Sequence, residues 1–219
     1  MTTAVYSLYA AFNVKPVVVY VDLHADARPS EDGPHSGTWC SEIFESGWAQ
    51  GAYCVGLNPL SNTQPTIDNL DRHAVVYKPF TWDRIKAGEV SLAQAAETIA
   101  NELKHRVWYN DHPEGTSNGH PEGASNDHPG GEFPPVVLSI CGDSVQGLPA
   151  SAGTEMVGYS ADEIYGFIAG VCSRVPVACM TVAEAKTSLE PHKAPSVGEF
   201  LTQSLFLYHM SQKNIRVGG

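Results

Sequence analysis

The feature that most constrains the fold is the apolar run "VVVYVDL" at Val17–Leu23, which directly follows Pro16. The run is rich in β-branched residues, and it does not alternate between apolar and polar positions. An unbroken run of this kind is typical of a strand in a parallel sheet that is covered on both faces. The sequence therefore predicts a buried parallel strand here.

Shorter apolar runs elsewhere in the chain predict further strands. Each is four to ten residues long and rich in valine or other β-favouring side chains, as strands are. These predicted strands are Ala52–Leu57, Ala74–Phe80, Pro134–Cys141 and Val175–Glu184.

Helices are predicted between and after these strands. Ser91 with Gln94, and Ser160 with Glu163, have the spacing of capping boxes, in which a side chain at each end satisfies a backbone N–H of the other. The predicted helices are 91–106, 160–172 and 196–212. Strands interleaved with helices predict an α/β fold of three layers, a mostly parallel β-sheet flanked by helices.

The chain has 219 residues, which favours a single domain over 1–219.

The net charge limits the kinds of partner that the protein can bind. Thirteen basic and 24 acidic residues give a net charge of −11, which argues against nucleic acid or an anionic membrane as a partner.

Cysteine usage and hydropathy favour a soluble cytoplasmic protein. The five cysteines are odd in number and scattered, so buried thiols in a reducing compartment are expected rather than disulfides. No apolar run approaches the ~20 residues of a membrane span. The first residues also lack the basic segment that begins a signal peptide.

One segment departs from the α/β pattern. Residues 110–134 contain three similar octapeptides, "DHPEGTSN", "GHPEGASN" and "DHPGGEFP". Their Gly, Pro, Asn and Ser content predicts a low-complexity, disordered surface insertion. Weak binding of a transition metal by its histidines is the alternative interpretation.

Polar side chains with chemical capability follow three of the predicted strands. They are Asp22, His24 and Asp26 after the first, Cys141 and Asp143 after "VVLSI", and Glu184 after "CMTVA". Ligands of parallel α/β sheets bind at these carboxyl ends. Oxygen ligands with an imidazole suit a divalent ion such as manganese. Taken singly, such an aspartate is also common in an Asx-turn or helix cap, and such a histidine is common in a core.

The same motifs resemble those of the arginase/agmatinase/formimidoylglutamase (ureohydrolase) superfamily. "VDLHADARP" with "GPHSGT" is similar to its Asp-x-His-x-Asp motif and His-Ser-Gly loop, with formimidoylglutamase the most similar family. "LSICGDSVQGLPASAGT" is similar to its second aspartate motif, and "VAEAKTSLEP" to its C-terminal glutamate motif. The resemblance implies an arginase-like fold and hydrolysis of a guanidino or formimino C–N bond with manganese.

The resemblance also implies a ligand set for one or two manganese ions. Asp22 falls on a bridging ligand, His24 on a ligand of one ion and Asp26 on a ligand of the other. Asp143 falls on a second ligand of the ion that His24 binds. Cys141 falls on the second bridging position, where the superfamily has an aspartate.

Further positions are implied for the substrate, a small cationic amidine or guanidine. His35 falls on a loop histidine that acts as a proton shuttle or contacts substrate, and Ser36 follows it. Glu184 falls on the acid that orients the cation. Arg28 is a candidate contact for a substrate carboxylate. Members of the superfamily are commonly homo-oligomers, trimers or hexamers.

Two departures from the superfamily pattern leave alternatives open. A thiol at Cys141 is a poor manganese bridge. The Gly-Gly-Asp-His motif and its strands do not precede Val17, so an N-terminally truncated arginase-like fold is expected. Three hypotheses follow: a metal-dependent amidine hydrolase, intact or impaired; a catalytically degenerate member with a binding or partner-subunit role; or an incomplete gene product.

Overall fold

A computed structural model of the chain describes residues 1–29, 31, 33, 35–105, 134–149, 157–186, 188 and 191–217. Its centre is a four-stranded parallel sheet in the order β2-β1-β3-β4. The strands are β1 (Val17–Val21), β2 (Gly51–Val55), β3 (Val136–Cys141) and β4 (Val177–Ala183). This confirms the predicted parallel sheet.

Burial explains why the strand sequences differ. Every residue of β1, β2 and β3 is buried, in agreement with their unbroken apolar sequences. Within the described residues β4 pairs with one strand, β3, and most of its residues are half-buried or exposed. It is therefore an edge strand of the sheet.

Helices cover both faces of the sheet. In the described ranges the α-helices are α1 (Thr2–Phe12), α2 (Trp39–Glu45), α3 (Gln64–Arg72), α4 (Trp82–Lys86), α5 (Leu92–His105), α6 (Ala161–Cys172) and α7 (Ala194–Val217). Among them, none is long and apolar enough to cross a membrane.

Two apolar cores separate the three layers. In one core, α5, α6 and α7 pack against side chains such as Val19 and Leu138. In the other, α1, α2 and α3 pack against the opposite face, which includes Val18 and Tyr20. Because neighbouring strand residues point to opposite faces, β1 contributes to both cores.

The predicted elements are partly correct. Both capping boxes form, with Ser91 and Ser160 each exchanging hydrogen bonds with the residue three positions later. The predicted strand at Ala74–Phe80 is wrong, because only Val76 makes a single bridge to β2 and a 3-10 turn follows at Lys78–Phe80. The pattern of apolar residues in the sequence did not predict the helices α1 to α4. The segment 110–134, which the sequence predicts to be a disordered insertion, lies outside the described residues apart from its last residue.

The strand order sets the position of a ligand site. β1 leads to β2 on one side, and the chain then crosses back to place β3 on the other side of β1. The direction of the order reverses between β1 and β3, whose last paired residues are Val21 and Ile140. Open α/β sheets bind ligands at this switch point, outside the carboxyl ends of the strands.

Candidate metal centre

The end of β1 places Asp22 and His24 in one tight turn. The Asp22 N–H donates to the Val55 carbonyl at 3.0 Å, which continues the sheet ladder by one residue. The Asp22 carboxylate then accepts from the His24 N–H at 2.7 Å, as in an Asx-turn. This local bond turns the chain so that the imidazole lies beside the carboxylate, with His24 Nδ1 3.5 Å from Asp22 Oδ1.

The end of β3 supplies a second carboxylate. Asp143 lies in the 3-10 turn Gly142–Ser144 and is 3% exposed. Its Oδ2 is 2.9 Å from His24 Nδ1. The possible ligand atoms of Asp22, His24 and Asp143 all lie within 4.8 Å of one another. Among the residues that the structure describes, this is the group of three found with metal-binding geometry.

The electrostatics of this group favour a cation. The hydrogen bond to Asp143, followed by that to Asp22, raises the pKa of His24 to about 10. Burial raises the pKa of Asp22 to about 6, although its hydrogen bond with His24 acts in the opposite direction. The positive charge of the protonated His24 imidazole thus lies between two buried carboxylates, and it reduces the free-energy cost of burying them.

Asp26 lies outside this group. Its Oδ2 accepts from the Trp39 indole N–H at 2.7 Å, and its carbonyl accepts from the Cys40 N–H at 3.0 Å. Asp26 has a positive φ of 47°, which turns the chain toward α2. Burial, and then the charge of Asp22, raise the pKa of Asp26 to about 8. Its side chain is directed to α2 in this arrangement.

Cys141, the last residue of β3, is in direct contact with the group. Cys141 is 6% exposed and is two residues from Asp143. Burial, followed by the charges of Asp22 and Asp143, raises the pKa of Cys141 far above its usual value. The cysteine is therefore a neutral thiol at the edge of a carboxylate cluster.

Arg28 and His35 meet in the loop that follows β1. The Arg28 N–H donates to the Gly37 carbonyl at 2.9 Å, and the Gly37 N–H donates to His35 Nδ1 at 3.0 Å. A Cβ on Gly37 would lie 3.2 Å from His35 Cε1 and 3.3 Å from Arg28 Cδ, so glycine allows both side chains to approach. Arg28, His35 and Ser36 are exposed.

Glu184 follows β4 and therefore lies at the carboxyl ends of the strands, like Asp22 and Asp143. It is half-buried and has a positive φ of 62°. A Cβ on Gly142 would lie 3.0 Å from the Ala185 nitrogen and 3.1 Å from the Ala183 oxygen. The backbone of Glu184 thus passes directly beside the turn that carries Asp143.

Sequence reasoning missed two side chains that position the site. Asn62 accepts from the Ala25 N–H at 2.8 Å and donates to the Leu23 carbonyl at 3.0 Å, so one amide holds both neighbours of His24. Trp39 holds Asp26. Asn62 lies in the loop after β2, within the "YCVGLNPLSN" segment, and a polar amide after a buried strand is the signal that could have indicated it.

The comparison of structures shows which fold the chain has. The formimidoylglutamase of Bacillus subtilis subsp. subtilis str. 168 aligns with a TM-score of 0.69 and 17% identity, over 99% of this chain and 57% of that one. Trypanosoma cruzi formiminoglutamase with Mn²⁺ aligns with a TM-score of 0.70 and 17% identity, over 96% and 61%. An arginase from Medicago truncatula has a TM-score of 0.65 and 13% identity, over 97% and 56%. The chain has the arginase-like fold.

Sequence similarity to known proteins covers a shorter part of the chain. The formimidoylglutamase of Geobacillus sp. (strain WCH70) is 35% identical over 60 residues, which are 27% of this chain and 18% of that protein. No family model matches. Over this segment the chain is similar in sequence to formimidoylglutamase, and its fold is that of the arginase and formimidoylglutamase structures above. It spans about 60% of the length of the solved structures above and matches less than a fifth of that sequence relative.

Proposed function

We propose that the chain is a metal-dependent hydrolase of a C–N bond in a small cationic amidine or guanidine, like formimidoylglutamase or agmatinase. The observation that carries this proposal is the convergence of Asp22, His24 and Asp143 at the switch point of the sheet. The similarity to formimidoylglutamases, and the Mn²⁺ in one structural neighbour, support the same reaction class.

The donor set fits one divalent ion. Two carboxylates and an imidazole suit manganese, which the resemblance implies. A bound ion supplies one function here, the lowering of the pKa of water so that a nucleophile exists near neutral pH. A second ion would need Asp26 and Cys141, but Asp26 is bonded to Trp39 and Cys141 has a buried neutral thiol. We therefore propose one ion and not a pair.

The remaining residues would bind substrate and move protons. Glu184, beside the Asp143 turn, would hold the delocalised cation by a charge-assisted hydrogen bond. His35 would give a proton to the leaving amine, because its exposed ring lies on the loop that follows β1. Arg28 and Ser36 would bind the far end of the substrate, with Arg28 on a carboxylate.

A second candidate function is favoured by Cys141 and Asp26. Because Cys141 carries a thiol and the Asp26 carboxylate is bonded to Trp39, the chain would in this case be a catalytically degenerate arginase-like protein with a binding or partner-subunit role. In either function we propose a cytoplasmic homo-oligomer, a trimer or hexamer.

Metal analysis with activity assays distinguishes the two functions. The purified protein, incubated with Mn²⁺ and desalted, is expected to retain about one equivalent and to release product from formimidoylglutamate or agmatine. Asp22→Asn should retain neither metal nor turnover. Asp71→Asn is the matched control, since this half-exposed aspartate pairs with Lys78 and lies outside the group. Stoichiometric metal without turnover would favour the degenerate member, and no bound metal would reject the hydrolase.

A further inference from the structure

We propose that Tyr159 is a positioning residue for the metal centre, which holds the turn that carries Asp143 in place relative to His24. The inference rests on the proposed metal site, but it concerns a residue that belongs neither to the ligand group nor to the loop that would bind substrate. Tyr159 lies directly before α6, whose capping residue is Ser160.

The backbone of Tyr159 is paired with the chain directly after Asp143. The Tyr159 N–H donates to the Ser144 carbonyl at 2.8 Å, and the Gln146 N–H donates to the Tyr159 carbonyl at 2.8 Å. These two bonds form a parallel bridge between Val145 and Tyr159. The Asp143 turn is thus followed at once by a short ladder, which limits how far its carboxylate can move.

The ladder requires glycine at position 158. Gly158 has a φ of 147°, and a Cβ there would lie 2.8 Å from the Ser144 oxygen and 3.1 Å from the Gln146 nitrogen. Both are backbone atoms, so they cannot move aside as the end of a flexible side chain can. A side chain at Gly158 would therefore push Tyr159 away from the Asp143 turn.

The side chain of Tyr159 reaches the end of β2. It is fully buried in the core that also contains Val21 and Ile140. A Cβ on Gly56, the residue after β2, would lie 2.9 Å from the Tyr159 hydroxyl oxygen. Because β1 lies between β2 and β3, the ring crosses the end of β1 on the face that α5, α6 and α7 cover. Tyr159 therefore connects the continuations of the two strands on either side of Asp22.

The ring of Tyr159, and not its hydroxyl, makes this connection. The hydroxyl is buried and has no hydrogen-bond partner among the described residues. An unpartnered buried hydroxyl costs free energy, so phenylalanine should replace Tyr159 without loss. A smaller side chain would leave a space beside Gly56 and release the turn that carries Asp143.

A pair of glycine variants tests the ladder. Gly158→Ala disturbs it without opening a cavity, and isothermal titration calorimetry should show the affinity for Mn²⁺ reduced about tenfold, as is typical when a group that supports a ligand is lost. Gly147→Ala is the matched control. Gly147 lies in the same loop with a positive φ of 79°, but a Cβ there meets nothing within 4 Å. This control should bind Mn²⁺ as tightly as the unmodified protein.

Substitutions of the ring separate positioning from general stability. Tyr159→Leu should also lower the affinity for Mn²⁺ about tenfold, and Tyr159→Phe should restore it. Ile99→Ala is the control for stability, because it opens a cavity in the same core from α5. If Tyr159 positions the site, Ile99→Ala should be less stable than the unmodified protein but should keep its affinity for Mn²⁺.

The outcomes separate this inference from the proposed function. An unchanged affinity for Mn²⁺ in folded Gly158→Ala or folded Tyr159→Leu would overturn the inference and leave the metal site intact. An equal loss in Gly147→Ala, Ile99→Ala or Tyr159→Phe would also overturn it. Loss of folding in both Gly158→Ala and Tyr159→Leu, seen by circular dichroism, would make the role purely structural and reject positioning. Failure of the unmodified protein to bind Mn²⁺ would overturn the metal site, and this inference with it.

Discussion

The buried cluster at the switch point and the exposed loop beyond it are organised in opposite ways. Asp22 and Asp143 are less than 5% exposed, and each contacts His24, so strand pairing fixes the cluster. Arg28 and His35 are exposed, and the loop is held by backbone bonds to Gly37. The fold itself creates the cluster, whereas strand pairing does not fix the exposed side chains of the loop. Changes in the cluster should therefore act on metal binding, and changes in the loop on turnover.

The largest effect is expected from Asp22→Asn. The variant removes a charged oxygen donor, so we expect a loss of metal affinity of more than about 100-fold, measured by isothermal titration calorimetry. The metal-free variant should be at least as resistant to heat, because it no longer buries a carboxylate whose pKa is raised to about 6 by burial. Metal binding that persists in Asp22→Asn would show that this residue is not a ligand.

Asn62→Ala should have the next largest effect. The substitution leaves the Ala25 N–H without its amide partner, whereas the Leu23 carbonyl keeps its bond from the Asn58 N–H, and both Ala25 and Leu23 are fully buried. We expect a loss of about 1–3 kcal/mol in the free energy of unfolding. Metal affinity should fall about tenfold, because the turn that carries His24 is loosened. Asn101→Ala, an exposed change on α5, is the control and should alter neither quantity.

Trp39→Phe tests whether Asp26 belongs to the cluster. The phenyl ring keeps most of the packing against Tyr20 but removes the N–H that Asp26 accepts from. The free energy of unfolding should fall by about 1–3 kcal/mol. Metal affinity should stay the same, since Asp26 lies outside the three-donor group. A clear change in metal affinity would place Asp26 among the ligands.

His35→Ala should have the smallest effect on binding and stability. The side chain is exposed and its one bond described above, from the Gly37 N–H, is lost, so the free energy of unfolding should fall by about 0.5–1.5 kcal/mol, and metal affinity should not change. Turnover should still fall, because the proposed proton donor is lost. A loss of metal from this variant would mean that the loop and the cluster are not separate.

The parallel sheet and the helices after it could be predicted from the sequence, because the strands are apolar runs and two of these helices have capping boxes. The same runs indicate where Asp22, His24 and Asp143 leave the sheet. Long-range pairing of polar groups could not be predicted. The bond from Trp39 to Asp26 and those from Asn62 to the β1 turn connect positions 13 to 39 residues apart, which local periodicity does not encode. The segment 74–80 resembles a strand in composition, but Pro79 lacks an N–H and a 3-10 turn forms there instead.

The most direct test of the central claim is a crystal structure of the protein soaked with zinc or manganese, with anomalous scattering recorded at the metal edge. The account predicts a single peak at about 2.0–2.2 Å from His24 Nδ1 and from one carboxylate oxygen each of Asp22 and Asp143. A peak bound elsewhere, or a binuclear pair that includes Asp26, would contradict it.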